Sequence, residues 1–209
     1  MTELAIVAFT TFFATIGPID VAMMFAAMTP TSTGRERRGM ALRGIFISCA
    51  ILLIFALIGE FLLTSLGISL AALKVAGGIL LLLMGIEMVF ARPSGGTSTT
   101  EVEMSEGVNK EDISVFPLAT PLIAGPGAMG AAILLMADAA GDVMAQGVVI
   151  AALLGVLLIT LCLLLLATQV QRLFGITGMH VVSRIFGVLL AALAVEFLFD
   201  GIRQSGLLS

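Results

Sequence analysis

Charge is scarce in this chain. Asp, Glu, Lys and Arg make up 11% of its 209 residues, while 59% are hydrophobic. A water-soluble domain is about half apolar and a quarter charged, and a soluble fold of this length could not hide the excess. Lipid must cover much of the surface. Histidine occurs once, at position 180, which excludes a His-based metal cluster, and no metal site is expected. The two cysteines, Cys49 and Cys162, each lie inside an apolar run and read as small buried hydrophobes. Trp and Tyr are absent, so the usual aromatic belt is missing and 13 Phe must do any interfacial anchoring. There is no basic stripe, which excludes nucleic acid as a partner. No Gly-x-Ser-x-Gly elbow, His-Glu-x-x-His pattern or intramembrane Ser/His pair occurs, and only Asp20 among the aspartates lies deep in an apolar run. An enzyme is therefore not expected. A P-loop and other cofactor motifs are also absent, so no cofactor and no direct ATP drive are expected. Met1-Thr2-Glu3 lacks the basic start of a cleaved signal peptide, and the first apolar run is expected to be retained.

What is present is a series of long apolar runs. A spanning helix needs roughly 20 mostly apolar residues. Six segments qualify, near 4–28, 44–66, 71–91, 113–137, 143–168 and 180–202. Alternation assigns sides to the loops. Those after the first, third and fifth segments carry Arg35, Arg37, Arg38, Arg43, Arg92, Lys110, Arg172 and Arg184; the opposite side carries Lys74 and Arg203. Cytoplasmic loops are enriched in Lys and Arg, so both termini are expected outside. The stretch 92–112 is polar, acidic and rich in Gly, Ser and Thr, which reads as a disordered cytoplasmic tether.

Two parts of the chain match each other. Phe13-Ala-Thr-Ile-Gly-Pro18 parallels Pro121-Leu-Ile-Ala-Gly-Pro126, 108 residues later. Lys74-Val-Ala-Gly-Gly-Ile-Leu parallels Arg184-Ile-Phe-Gly-Val-Leu-Leu, 110 residues later, and Glu87 and Glu196 follow them. The agreement points to an internal duplication, with a first half 1–91 and a second half 113–209. Three spans per half put the second half in upside down, an architecture common among secondary transporters. The expected fold is an all-α membrane protein, an inverted repeat of three plus three helices.

Both Gly-Pro steps fall at mid-span. Proline removes an amide donor and clashes with the preceding turn, and glycine eases the departure from helical geometry. Freed backbone groups cannot face lipid, so they must meet protein or a polar cavity. Four of the six prolines, Pro18, Pro117, Pro121 and Pro126, cluster in these two spans. A broken helix presents the amides of its second half to an anion and the carbonyls of its first half to a cation. Two readings follow: structural kinks that shape packing, or a solute site built from both breaks. Thr15 and Thr120 precede the breaks, where a hydroxyl serves either backbone repair or ligand contact. Asp20 either caps the second half-helix or binds an ammonium or a proton. Gly125, Pro126, Gly127 and Ala128 carry no side chain large enough to fill the second cradle. With Gly17 and Pro18, these residues make the candidate substrate site. Glu60, Glu87 and Glu196 are intramembrane acids near an interface and are candidates for ion coupling. Lys74 is expected to anchor its helix at the headgroups.

Thr64–Phe90, Phe116–Met129 and Val181–Ile202 together resemble the hallmark blocks of the MarC family, whose name comes from multiple antibiotic resistance. Pro117-Leu-Ala-Thr-Pro-Leu-Ile-Ala-Gly-Pro-Gly127 is the most specific of them. The resemblance covers nearly the whole chain, including the basic loop Gly34-Arg-Glu-Arg-Arg38. It implies a bacterial or archaeal inner membrane protein of six helices, akin to small amino-acid exporters of the LysE type. It also implies transport of small neutral amino acids in some members. The family's first break usually reads Asn-Pro, and here it reads Gly17-Pro18. Asp20 replaces a residue that is commonly small or uncharged, and Glu196 stands where glutamine is frequent. The expected function is a secondary transporter or exporter of a small solute, with the bilayer and that solute as partners. The alternatives are a channel and a membrane scaffold.

Overall fold

In the computed structural model the apolar runs are helical. The structure describes residues 1–90 and 112–206, with side chains at positions 60, 168, 170–180, 182 and 183 left undescribed. The tether therefore lies outside the described residues, except for Asp112. Among those residues every regular element is a helix. The first four are α1 (Thr2–Ile16), α2 (Pro18–Met28), α3 (Gly34–Ser65) and α4 (Leu70–Phe90). They are followed by α5 (Ser114–Ile123), α6 (Pro126–Asp138), α7 (Val143–Leu165) and α8 (Ala167–Gln204). Five stretches are long and apolar enough to cross a membrane: Thr2–Met28, Gly34–Gly59, Leu70–Phe90, Val143–Leu165 and Arg184–Gln204. The α5–α6 pair, bent by 54°, makes a sixth when taken as one span.

Two helices overrun their apolar cores. α3 starts at Gly34 rather than near 44 because Thr33 and Glu36 form a capping box that nucleates the helix outside the apolar run. α8 starts at Ala167 rather than near 180. The α2–α3 corner is fixed by Arg37, whose Nε donates to the Thr29 carbonyl at 2.9 Å. Asp142 caps α7, accepting from the amides of Met144 and Ala145 at 2.9 and 3.1 Å.

The most extensive packing joins α4 to α8. Gly78 lies against Ala194 and Leu198, Gly85 against Gly187 and Ala191, and Gly201 against Ala71 and Val75. Numbers rise on one helix as they fall on the other, so the pair is antiparallel. A Cβ added at Gly78, Gly85, Gly187 or Gly201 would stand 2.8 Å from its nearest neighbour. Glycine is what lets the two backbones approach, as at small-residue interfaces in membranes. Around this pair, α1 and α2 pack on α7 and α8, α5 and α6 pack on α3, α6 also packs on α4, and α3 meets α7. Phe12, Phe25, Leu52, Leu118, Leu134 and Leu153 are buried between them. Phe46, Leu57, Phe61 and Leu158 stay exposed, which suits a lipid-facing surface.

Lys74 departs from the sequence expectation. It is 2% exposed and pairs with Asp138 at the end of α6 instead of reaching for headgroups. The acid is 64 residues away in the chain, and only the packing of α4 on α6 brings it close.

Candidate functional site

The two interrupted segments differ in how sharply they break. At the first, Gly17 takes a left-handed conformation (φ 60°, ψ 58°) between α1 and α2. Its amide still donates to the Phe13 carbonyl, and the Val21 amide donates to the Gly17 carbonyl, each at 3.0 Å. The ladder thus carries most of the way across, and Thr2–Met28 continues as one apolar stretch of 27 residues. At the second, irregularity spreads backward from the Gly-Pro step. Phe116 and Thr120 leave helical geometry because each precedes a proline, which disfavours the α region for the residue before it. Gly125 precedes Pro126 and is extended, with ψ 169°. Leu118 and Ala124 donate five residues back, to Ile113 and Ala119, so the turns of α5 are wide ones.

The side chains around the breaks serve the backbone first. Thr15 Oγ1 donates to the Thr11 carbonyl at 2.8 Å, and Thr120 Oγ1 to the Val115 carbonyl at 3.4 Å. Ser48 of α3 donates to the Gly44 carbonyl at 2.8 Å and reaches the Ala119 carbonyl at 3.4 Å. Asp20 lies in the first turn of α2, and its carboxylate turns back over Gly17. No side chain caps α6, whose first-turn residues Gly127 and Ala128 are both buried. A Cβ at Gly125 would stand 2.6 Å from the Pro121 carbonyl oxygen, so only glycine fits there.

A cavity of about 10 Å³, bordered by Phe13, Gly17, Pro18, Asp20, Met88 and Phe186, sits at the first break. That is room for about one water. Gly17, Pro18 and Asp20 are thus brought together on one wall, while Thr15, Thr120 and Gly125–Ala128 do not line this cavity. The second break meets α4 one helical turn away. Met84 covers Gly127 so closely that a Cβ there would stand 2.3 Å from its sulfur. Met84 and Met88 thus place the two breaks against neighbouring turns of one helix. Sequence reading missed both methionines, which carry no signal beyond hydropathy.

The three candidate coupling acids diverge. Glu196 is exposed, and the Glu60 side chain is not described. Glu87 is half-buried, and its Oε2 is buried without a hydrogen-bond partner. The Thr11 hydroxyl is the other such atom among the described residues. Outside the spans, Asp112 ties α5 to α3: it accepts from the Ser114 amide at 2.9 Å and pairs with Arg43. Hydrogen bonds from Ser114, and then the Arg43 guanidinium, hold its carboxyl below the usual carboxylate range. No group of three or more His, Cys, Asp or Glu that could hold a metal ion occurs among the described residues.

Comparison with known proteins identifies the chain's kin. The model of the MarC family, described as integral membrane proteins, matches residues 2–205. A UPF0056 membrane protein of Methanocaldococcus jannaschii is 38% identical over 198 residues, covering 95% of each chain. One of Archaeoglobus fulgidus is 36% identical over 94% of this chain and 91% of its own. The UPF0056 membrane protein YhcE of Escherichia coli is 32% identical over 91% of this chain and 88% of its own. No solved structure matches. With the apolar helices and a family match over nearly the whole length, the chain belongs to the MarC family of integral, multi-pass membrane proteins.

Proposed function

We propose that this protein is a secondary transporter or exporter of a small neutral amino acid. It works by alternating access of two inverted three-helix halves, 1–91 and 113–209. The observation that carries the reading is the approach of both breaks to one face of α4. Met88 borders the Gly17–Asp20 cavity, and Met84 sits on the first turn of α6. Four residues of helix separate these contacts, about 6 Å along the axis. The amino acid's carboxylate rests on the amides near Gly127 and Ala128, at the positive end of α6. Its ammonium faces Asp20 and the carbonyls near Gly17.

Packing supports the repeat. Exchanging α1 with α5, α2 with α6, α3 with α7 and α4 with α8 turns the contacts of α1 and α2 on α7 into those of α5 and α6 on α3. It also turns α2 on α8 into α6 on α4, and leaves the α4–α8 and α3–α7 pairs unchanged. The cavity at the first break, about 10 Å³, is too small for an amino acid, so in this reading the solute enters only when the halves move. Glu87, with its unpartnered buried oxygen, is better placed for coupling than the exposed Glu196. Catalysis has no part in this reading. Both termini face outward in it, on the strength of eight basic residues against two, and reporter fusions at Met1 and Ser209 that read cytoplasmic would refute that orientation.

Proteoliposomes loaded with labelled glycine or alanine test the proposal. Asp20→Asn should lower saturable flux about tenfold or more, the worth of a lost charge-assisted contact, and Gly125→Leu, whose side chain would meet the Pro121 carbonyl oxygen, should abolish it by distorting the second break. Flux unaltered by both variants sinks the site assignment. Single-channel currents with flux that never saturates identify a channel, and no flux of either solute refutes glycine and alanine as the cargo.

A further inference from the structure

A second cavity opens at the basic end of the molecule, away from both breaks. Its volume is about 400 Å³, and its walls include Gly34, Arg37 and Arg38 of α3, Leu164 and Leu165 of α7, and Gln169 of α8. That volume falls in the range of small-ligand sites. The charge of its α3 wall is net positive. Glu36, the acid within this turn, accepts from the Thr33 amide at 2.7 Å in the capping box. Arg37 holds the Thr29 carbonyl, which fixes the corner and orients its guanidinium. Arg38, exposed on the next position, adds a second guanidinium.

The opposite wall is largely apolar: Leu164 and Ala167 are buried, Leu165 is accessible, and Gln169 is its polar member. Leu165 is 45% exposed and its neighbour Leu166 is 50% exposed, at the end of a membrane-capable helix. A free phosphate ester gains nothing from such a wall, whereas a phospholipid brings a phosphate for the arginines and a glycerol-acyl junction for the leucines. Basic pockets at helix ends on the cytoplasmic side attract anionic lipids for this reason. We propose that this crevice binds the headgroup of an anionic phospholipid, with Arg38 on the phosphate, Arg37 positioned behind it and Leu165 along the first methylenes. The bound lipid clips the α2–α3 corner to the α7–α8 corner.

Native mass spectrometry of the full chain, released from detergent with phosphatidylglycerol or phosphatidylcholine, tests this. Phosphatidylglycerol should be retained and phosphatidylcholine lost. Arg38→Ala should weaken phosphatidylglycerol binding at least about tenfold, as loss of a charge-assisted hydrogen bond does. Arg35→Ala removes the same charge from a residue beside Gly34 that does not itself line the cavity and should cost about fivefold or less. Arg38→Gln substitutes should the alanine variant fail to fold. Glycerol phosphate, the headgroup without its chains, should not compete. Equal retention of the two lipids, equal losses in the Arg35 and Arg38 variants, or full competition by glycerol phosphate would each overturn the proposal. The last would make the crevice a site for a soluble phosphate ester.

Discussion

Lys74 illustrates what a linear reading misses at the scale of one residue. Hydropathy assigns a lysine near the start of a span to the interface, because a long side chain can snorkel there. The fold instead buries it and supplies Asp138 from another helix. The pair is lopsided: Lys74 is 2% exposed and Asp138 38%. Removing the acid leaves a buried ammonium without a counter-charge, whereas removing the lysine leaves an acid that water still reaches. Asp138→Ala should therefore destabilise by about 3 kcal/mol and Lys74→Met by about 1 kcal/mol, with the double variant close to Lys74→Met. Thermal unfolding in detergent reads the order, and equal losses would mean that the lysine is not buried. The candidate site residues Gly17, Asp20 and Gly125 were legible because Gly-Pro at mid-span and a deep acid are rare. Met84 and Met88 were not, because a methionine inside an apolar run looks the same whether it faces lipid or a site.

Among the elements, the spans were the most legible feature, since lipid demands uninterrupted apolar length and the sequence displays it. Helix ends outside lipid were less so: α3 begins ten residues before its apolar core, where a capping box rather than hydropathy sets the boundary. The breaks looked alike as motifs yet differ in shape. One proline leaves the first nearly continuous, whereas three across ten residues bend the second by 54°. The α4–α8 seam was visible only as glycines, with nothing in the sequence to name their partners. Its test contrasts two glycines. Gly85→Ala drives a Cβ to 2.8 Å from the Gly187 carbonyl oxygen and the Ala191 amide nitrogen and should destabilise by about 1–3 kcal/mol. Gly155→Ala in α7 meets nothing within 4 Å and should be neutral or gain up to about 1 kcal/mol from helix propensity. Similar melting temperatures for the two variants would deny the close approach of the two backbones.

For the whole molecule, the proposal is one solute site shared by two inverted halves that close around the α4–α8 pair. The duplication could be suspected from two offsets of 108 and 110 residues. The partner exchange proposed for its elements rests on packing and not on sequence, because apolar helices of similar composition do not announce their neighbours. The most direct test of the shared site is an experimental structure of the full protein determined with alanine. A site shared by both breaks should show density between Gly17 and Gly127, the carboxylate on the amides of Gly127 and Ala128 and the ammonium toward Asp20, with Met84 and Met88 displaced to make room. Alanine bound away from both breaks, with Met84 still seated on Gly127, would contradict it.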